Sequence, residues 1–486
     1  MDSPVSPKDL ALIFPQISIA VLAIVILLVD FLFGKREKGA TALFAFAAAA
    51  VTGWFAAGLW DLNGAAFGGL IVVDNFSIFL CMVFLAGCGL TIMLSPRYLD
   101  LENAHTGEYY VLLLIAALGM MVMASAGNLL TVFLGIETLS IALYALAGIN
   151  RGRAASGEAA LKYLLLGAFA SGFLLYGIAL VYGATGTFDL AGVAGALARG
   201  AGAGPLLTVG VVLLIVGMGF KASVAPFHFW APDVYQGAPT PATAFMATGA
   251  KAAAFAVFFR VFLTALPALR ADWAPVVWTI AVVTMCVANL TALWQDNVKR
   301  MLAYSSVAHA GYLLIAVLAG VEWGGPSLLF YLASYTLMNI GAFGVVAAMA
   351  GKGRLNETLD GFRGMGYRSP FTAALMTWFM LSLAGIPPTA GFVAKLYVFA
   401  AGVRADLVPL VIIAVLNAVV SVYYYLRVVV TMYMREPETE AESAAGAGGG
   451  FTGALALTVC AAGVLALGLF PGPLLKIVQA ALLAAF

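Results

Sequence analysis

Long apolar stretches alternate with short polar interruptions along nearly the whole chain. Their approximate limits are 10–33, 40–60, 70–94, 110–126, 128–149, 160–183, 205–221, 238–264, 273–292, 301–320, 326–350, 371–401, 407–432 and 451–472. Most reach the roughly 20 residues that a helix needs to cross a hydrocarbon core. A transmembrane barrel would instead alternate residue by residue in segments of about ten. The pattern predicts an all-α polytopic membrane protein with about 14 transmembrane helices. The first stretch is too long for the apolar part of a signal peptide. The basic cluster Lys35-Arg36-Lys38 follows it, which predicts a retained helix with its N-terminus outside.

That placement sorts the basic residues. Connections after odd-numbered spans carry Lys35, Arg36, Lys38, Arg97, Arg151, Arg153, Lys299, Arg300, Lys352, Arg354, Arg363, Arg368 and Arg435. The other face has Lys8, Arg199, Arg270, Arg404 and Lys476. The bias supports the count and places the richer face in the cytoplasm. The acidic, then Gly/Ala-rich stretch 435–450 is expected to be a flexible loop before the last span.

Composition agrees with the pattern. Of 486 residues, 63% are hydrophobic and 10% charged, against about 25% charged in soluble domains. A net charge of +1 gives no reason to expect a nucleic-acid partner. The four cysteines, Cys81, Cys88, Cys286 and Cys460, lie in apolar runs without a C-x-x-C, so they read as small core residues. Gly448, Gly450 and Gly453 spell G-x-G-x-x-G, but they open a membrane span where the dinucleotide motif needs a strand before a helix. No metal ligand set, nucleotide, flavin or haem signature is expected in this chain.

Against that background a few polar residues stand out. The stretch GMGFKASVAPFHFWAPDVYQGAPTPATAFMATGAKAAAFAVFFR, Gly217 to Arg260, holds Lys221 and Lys251 on either side of Pro226, Pro232, Pro239 and Pro241. The prolines break the helix. If the chain doubles back near Gln236, the two lysines reach a similar depth. Each buried charge costs about 2.5–3.5 kcal/mol at a bilayer centre on insertion scales, so an ion or proton pathway is the sharper reading. Snorkelling to the headgroups is the plainer one, harder for Lys251 than for Lys221.

Glu137 is the single acid expected well inside a span, with Lys221 as its natural partner, either as a structural ion pair or as a regulator of the lysine's proton affinity. His309, behind Ser305 and Ser306, is a satisfied core residue or a proton relay. Pro387-Pro388 break the twelfth stretch and leave Lys395 on its far half. Broken helices at mid-depth mark ion sites in transporters, although a proline kink beside a snorkelling lysine is the alternative. Lys162 is expected to snorkel, His105 to be solvated in a loop, and His228 to lend a proton-exchanging group at the cytoplasmic entrance.

The stretches KASVAPFHFWAPDVYQGAPTPATAF, WQDNVKRMLAYSSVAHAGYLL and LAGIPPTAGFVAKLYVF resemble signatures of the antiporter-like membrane subunits of bacterial NADH–quinone oxidoreductase, respiratory complex I. KYLLLGAFASGFLLYGIALVYGATGTFDL is closest to the N-type branch. Lys395, where the M-type carries glutamate, and the missing long C-terminal amphipathic helix of the L-type favour that branch too. The resemblance implies two inverted five-helix repeats, spans 4–8 and 9–13, with helices seven and twelve broken. Domain limits follow: 1–105, 106–266, 267–434 and 435–486. It implies a midplane proton path through Glu137, Lys221, Lys251, His309 and Lys395, in a bacterial inner membrane. NADH, flavin, iron–sulfur clusters and the quinone site would belong to partner subunits, among them further antiporter-like ones. A sodium/proton antiporter subunit and a passive structural spacer are the competing readings.

Overall fold

Inside hydrocarbon, every backbone N–H and C=O must find its partner within the chain, and a helix does this locally. The computed structural model obeys that rule. It describes residues 6–33, 38–200, 204–351, 357–436 and 450–483. Lys35, Arg36, Lys352, Arg354, Gly448 and most of the 435–450 connection lie outside the described residues.

Twelve described helices are long and apolar enough to cross a membrane. One of them, Val298–Ala348, runs for 51 residues and carries non-helical Gly320 at φ 81°. It is a hairpin. His309 and Tyr331 stand 22 residues apart in sequence and 2.6 Å apart at Nδ1 and Oη. A straight helix would separate them by about 33 Å. The sequence placed this turn between 320 and 326. Pro370–Ala384 and Ala390–Arg404 have 15 residues each, about 22 Å, so neither crosses alone.

Both breaks are made alike. Pro205–Ala222 ends on Ser223 in the left-handed region at φ 59°, and Pro370–Ala384 ends on Gly385 at φ 85°. Each cap N–H returns to the last turn of its helix. Glycine takes this conformation freely, whereas Ser223 takes it at a cost of order 1 kcal/mol. After the first break, the short helix Trp230–Gly237 leads to a turn at Ala238–Pro239 and back into Thr240–Ala265. The doubling back near Gln236 is therefore present.

Contacts between connections fix their sides. Asp233, after the seventh predicted span, pairs with Arg300, after the ninth, and with Lys162 at the start of the sixth. Glu357, after the eleventh, pairs with Lys299 and lies 4.0 Å from Arg153, after the fifth. On the opposite face Asn128 donates to Asp189 and Arg404 stacks on Trp323. Odd and even connections thus segregate, as the positive-residue bias predicts.

Two elements were absent from the sequence reading. Gly64–Ala66 and Ile71–Val73 form a two-stranded antiparallel ribbon, Gly64 opposite Val73. Residues Gly472–Leu483 form a final short helix, whose Leu482 packs on Gly325 of the hairpin.

Candidate proton-transfer site

The polar interior divides into two chambers. The first surrounds Lys221, on the last turn of Pro205–Ala222, where a cation meets the negative end of the helix dipole. Lys221 is 5% exposed. Its Nζ donates to Ser140 Oγ at 2.7 Å and to Tyr163 Oη at 3.5 Å. Ser140 lies one turn beyond Glu137, on the same face of Leu129–Ala147. Glu137 is half-buried and accepts a short hydrogen bond from Ser171. The expected direct pair is not made: no ion pair joins Glu137 to Lys221 among the described residues. Ser140 occupies the lysine's hydrogen-bonding position instead.

The second chamber brings together more polar groups. Lys251 is 1% exposed and follows directly on a π-helical turn, Met246–Ala250. Such widened turns are frequent at functional sites. Its Nζ donates to the Ser306 carbonyl. The neighbouring Ser305 Oγ lies 2.5 Å from Tyr425 Oη, which lies 3.3 Å from His309 Nε2. His309 Nδ1 reaches Tyr331 Oη. Lys395 sits over the Tyr312 ring, 5.5 Å from its centroid, and that ring meets the His309 imidazole edge-on at 5.7 Å. Lys395 Nζ donates to the Leu383 and Ala384 carbonyls at 2.8 and 2.9 Å. These are end carbonyls of Pro370–Ala384 that the break leaves without helical partners. Both lysines of the broken helices therefore bind at the C-terminal end of a first half-helix, as cation sites in discontinuous membrane helices do. The hydroxyls and the imidazole form a buried chain from Ser305 through Tyr425 and His309 to Tyr331, in which each group can both give and take a proton, with the two amines beside it.

The structure brings Lys251, His309 and Lys395 into one chamber and Glu137 and Lys221 into another. Between the two stands an aromatic wall. Tyr163 stacks on Trp230 at 4.4 Å, and Trp230 meets Tyr235 edge-on. Sequence reasoning missed these aromatics, because nothing in an apolar run distinguishes a wall tyrosine from a core one. It also missed Asn289, which donates to Asn417 and accepts from Tyr424 behind Tyr312.

Three minor expectations change. His105 is not solvated: its side chain is buried between Asp100 and Tyr110, at 2.6 and 2.8 Å. Lys162 does more than snorkel, pairing with both Glu158 and Asp233 at 2.7 Å. Glu137 is not the most enclosed acid. Asp74 is 3% exposed, caps Asn75–Leu101 and takes both oxygens to Arg260 at 2.9 Å. Arg260 amid the eighth apolar run was the available signal. His228 is half-buried with Nδ1 unpartnered, and burial holds its pKa below the ordinary value. Cys81, Cys88 and Cys460 are buried, Cys286 half-buried, and all four are free thiols.

Comparison with known proteins places this geometry. A family model described as "NADH:quinone oxidoreductase/Mrp antiporter, TM" matches residues 126–421, which hold Lys221, Lys251 and Lys395. NADH-quinone oxidoreductase subunit N of Trichlorobacter lovleyi is 46% identical over 97% of each chain. The chain belongs to the subunit N family. Subunit N of Chloroflexus aggregans is 42% identical over 99% of each chain. A chain of respiratory complex I from Thermus thermophilus superposes with a TM-score of 0.81 at 37% identity, covering 95% of this chain and 98% of its own. A chain of the Mrp complex from Dietzia sp. shares the fold, with a TM-score of 0.84 at 20% identity over 98% and 97%. Subunit N is thus an antiporter-like membrane-arm component of a larger complex, with other antiporter-like subunits as neighbours.

Proposed function

We propose that this chain translocates protons for a bacterial NADH–quinone oxidoreductase, with redox chemistry confined to partner subunits. The observation that carries the reading is the placement of Lys221, Lys251 and Lys395. All three are almost fully buried, Lys221 and Lys395 bind at broken-helix ends, and Lys251 and Lys395 flank a hydrogen-bonded chain of hydroxyls and His309. Buried amines at this cost serve a path rather than packing. Lys221 exchanges protons with the cytoplasmic side under the influence of Glu137. Lys251 and His309 relay laterally, and Lys395 governs release.

In this reading the chain crosses an inner membrane 14 times, counting the hairpin Val298–Ala348 twice and the two halves around Gly385–Thr389 once, with the N-terminus periplasmic. The repeats are residues 106–266 and 267–434. The paired breaks with left-handed caps at Ser223 and Gly385 support that division.

The test replaces Lys221 by alanine in the assembled complex and compares NADH–quinone turnover with coupled proton uptake. Loss of both in a complex that still assembles is expected. Normal turnover with normal uptake would leave Lys221 a structural charge and overturn the assignment.

A further inference from the structure

Tyr144 separates two spaces that, among the described residues, have no other lining residue in common. On the face of the Asn150–Arg153 connection lies an open basin of about 1160 Å³, lined by Glu102, Glu108, Arg151 and Arg153 among others. Deeper, beside Lys221, Ser140 and Ser171, is a void of about 10 Å³. That is near the size one water needs, and its walls carry polar groups to hold one. Tyr144 lines both spaces, and no other described residue does.

The side chain is positioned for such a role. Tyr144 stands four residues beyond Ser140 and seven beyond Glu137, so the three share one helix face. Its phenol lies over Gly167, in the space that a Cβ at that position would fill. Its ring meets Tyr163 edge-on at 4.8 Å, and Tyr163 itself reaches Lys221. The seat is therefore made by a missing side chain, one aromatic edge and a hydrogen bond with Ser140. Leaving it towards the basin breaks that hydrogen bond and opens the space over Gly167 to water, and a change of one staggered rotamer suffices to move a tyrosine ring.

We propose that Tyr144 is the inner door of a water-filled inlet between Leu129–Ala147 and Ala154–Thr185, closing the basin off from Lys221. Swung off Gly167, the ring joins the basin to the inner void and lets water reach Ser140 and the amine. This rests on the reading that Lys221 exchanges protons with the face on which the basin opens.

The test measures access rather than pumping. Ile136 lines the inner void and is 4% exposed. Ile136→Cys in the assembled complex, in membranes with the basin face outward, is treated with a membrane-impermeant cationic methanethiosulfonate, the parent complex giving the background. Thiol modification follows access, so adding Tyr144→Ala should raise its rate at least about tenfold, while Tyr144→Phe, which keeps the ring, should not. If Tyr144→Ala does not assemble, Gly167→Ala carries the test, since its methyl group displaces the phenol from its seat. An unchanged rate in the variant that assembles overturns the door. A raised rate in a complex whose pumping ignores Lys221→Ala would keep the door and sink the proton-exchange reading.

Discussion

The two broken helices hold their lysines by different chemistry. At the first break Lys221 is bound by side-chain hydroxyls, Ser140 and at longer range Tyr163. At the second, Lys395 is bound by main-chain carbonyls, Leu383 and Ala384. A carbonyl only accepts, and its position is fixed by the helix that carries it. A hydroxyl accepts and donates and rotates to suit its partner. The first site can therefore adapt as the amine gains or loses a proton, while the second holds its amine in one place. Lys251, on the Ser306 carbonyl, resembles the second. The difference suits an inlet that changes partners and a later station that keeps register.

The largest effect should come from taking Lys395 away. Lys395→Met leaves two buried carbonyls without a donor, at about 1–3 kcal/mol each, so the complex should inactivate at distinctly lower temperature as well as lose turnover. Lys221→Met leaves hydroxyls that can turn to other acceptors and should lose turnover with much less change in thermal inactivation. Equal thermal losses would erase the contrast.

A smaller effect isolates the adaptable partner. Ser140→Ala removes the closest hydrogen bond of Lys221, worth about 1.5–3 kcal/mol when one partner is charged. Turnover should fall roughly tenfold or more with normal assembly. No side-chain substitution can do the same to Lys395, whose partners are main chain. Unchanged turnover in Ser140→Ala would show that the hydroxyl is a bystander.

The smallest concerns the clamp outside the first break. Asp233 ties Trp230–Gly237 to Lys162 and Arg300, at 2.7 and 2.6 Å. Burial alone would push its pKa up, but hydrogen bonds from both cations outweigh that, and the carboxyl is held below its ordinary 3.8. A depressed acid contributes above its unfolded pKa and loses that contribution as pH falls through the lower folded value. The clamp should therefore persist unchanged from pH 5 upward, within the range where activity is measured. Asp233→Asn should cost about 1 kcal/mol or less, as partly exposed pairs do, with a pH profile parallel to the parent's above pH 5. A profile that diverges there would place Asp233 on the proton path.

Much of this was legible beforehand because the bilayer imposes it. A charge in a long apolar run is conspicuous, so Lys221, Lys251, Lys395, Glu137 and His309 could be picked out one by one. Prolines announced both breaks, and Gly320 fell where the sequence expected a connection. The partners were not legible. Ser140, Ser171, Tyr163, Tyr425 and the Leu383 carbonyl look like any other hydroxyl or amide of a span, and Glu137 does not pair directly with Lys221 because Ser140, on the same face, takes the amine's hydrogen bond. His105 was misplaced because its enclosure depends on Asp100 and Tyr110 around a loop.

The sequence by itself determined the helices, their breaks, the alternation of sides and which residues carry charge into the membrane. Those follow from local chemistry: apolar length, proline geometry and the cost of burying an ion. Only the tertiary structure decided which charges share a chamber, which atoms they touch and where water can stand. Those depend on how helices distant in sequence rotate against one another, and a turn of about 100° per residue lets one step decide whether a polar group faces its partner or the lipid.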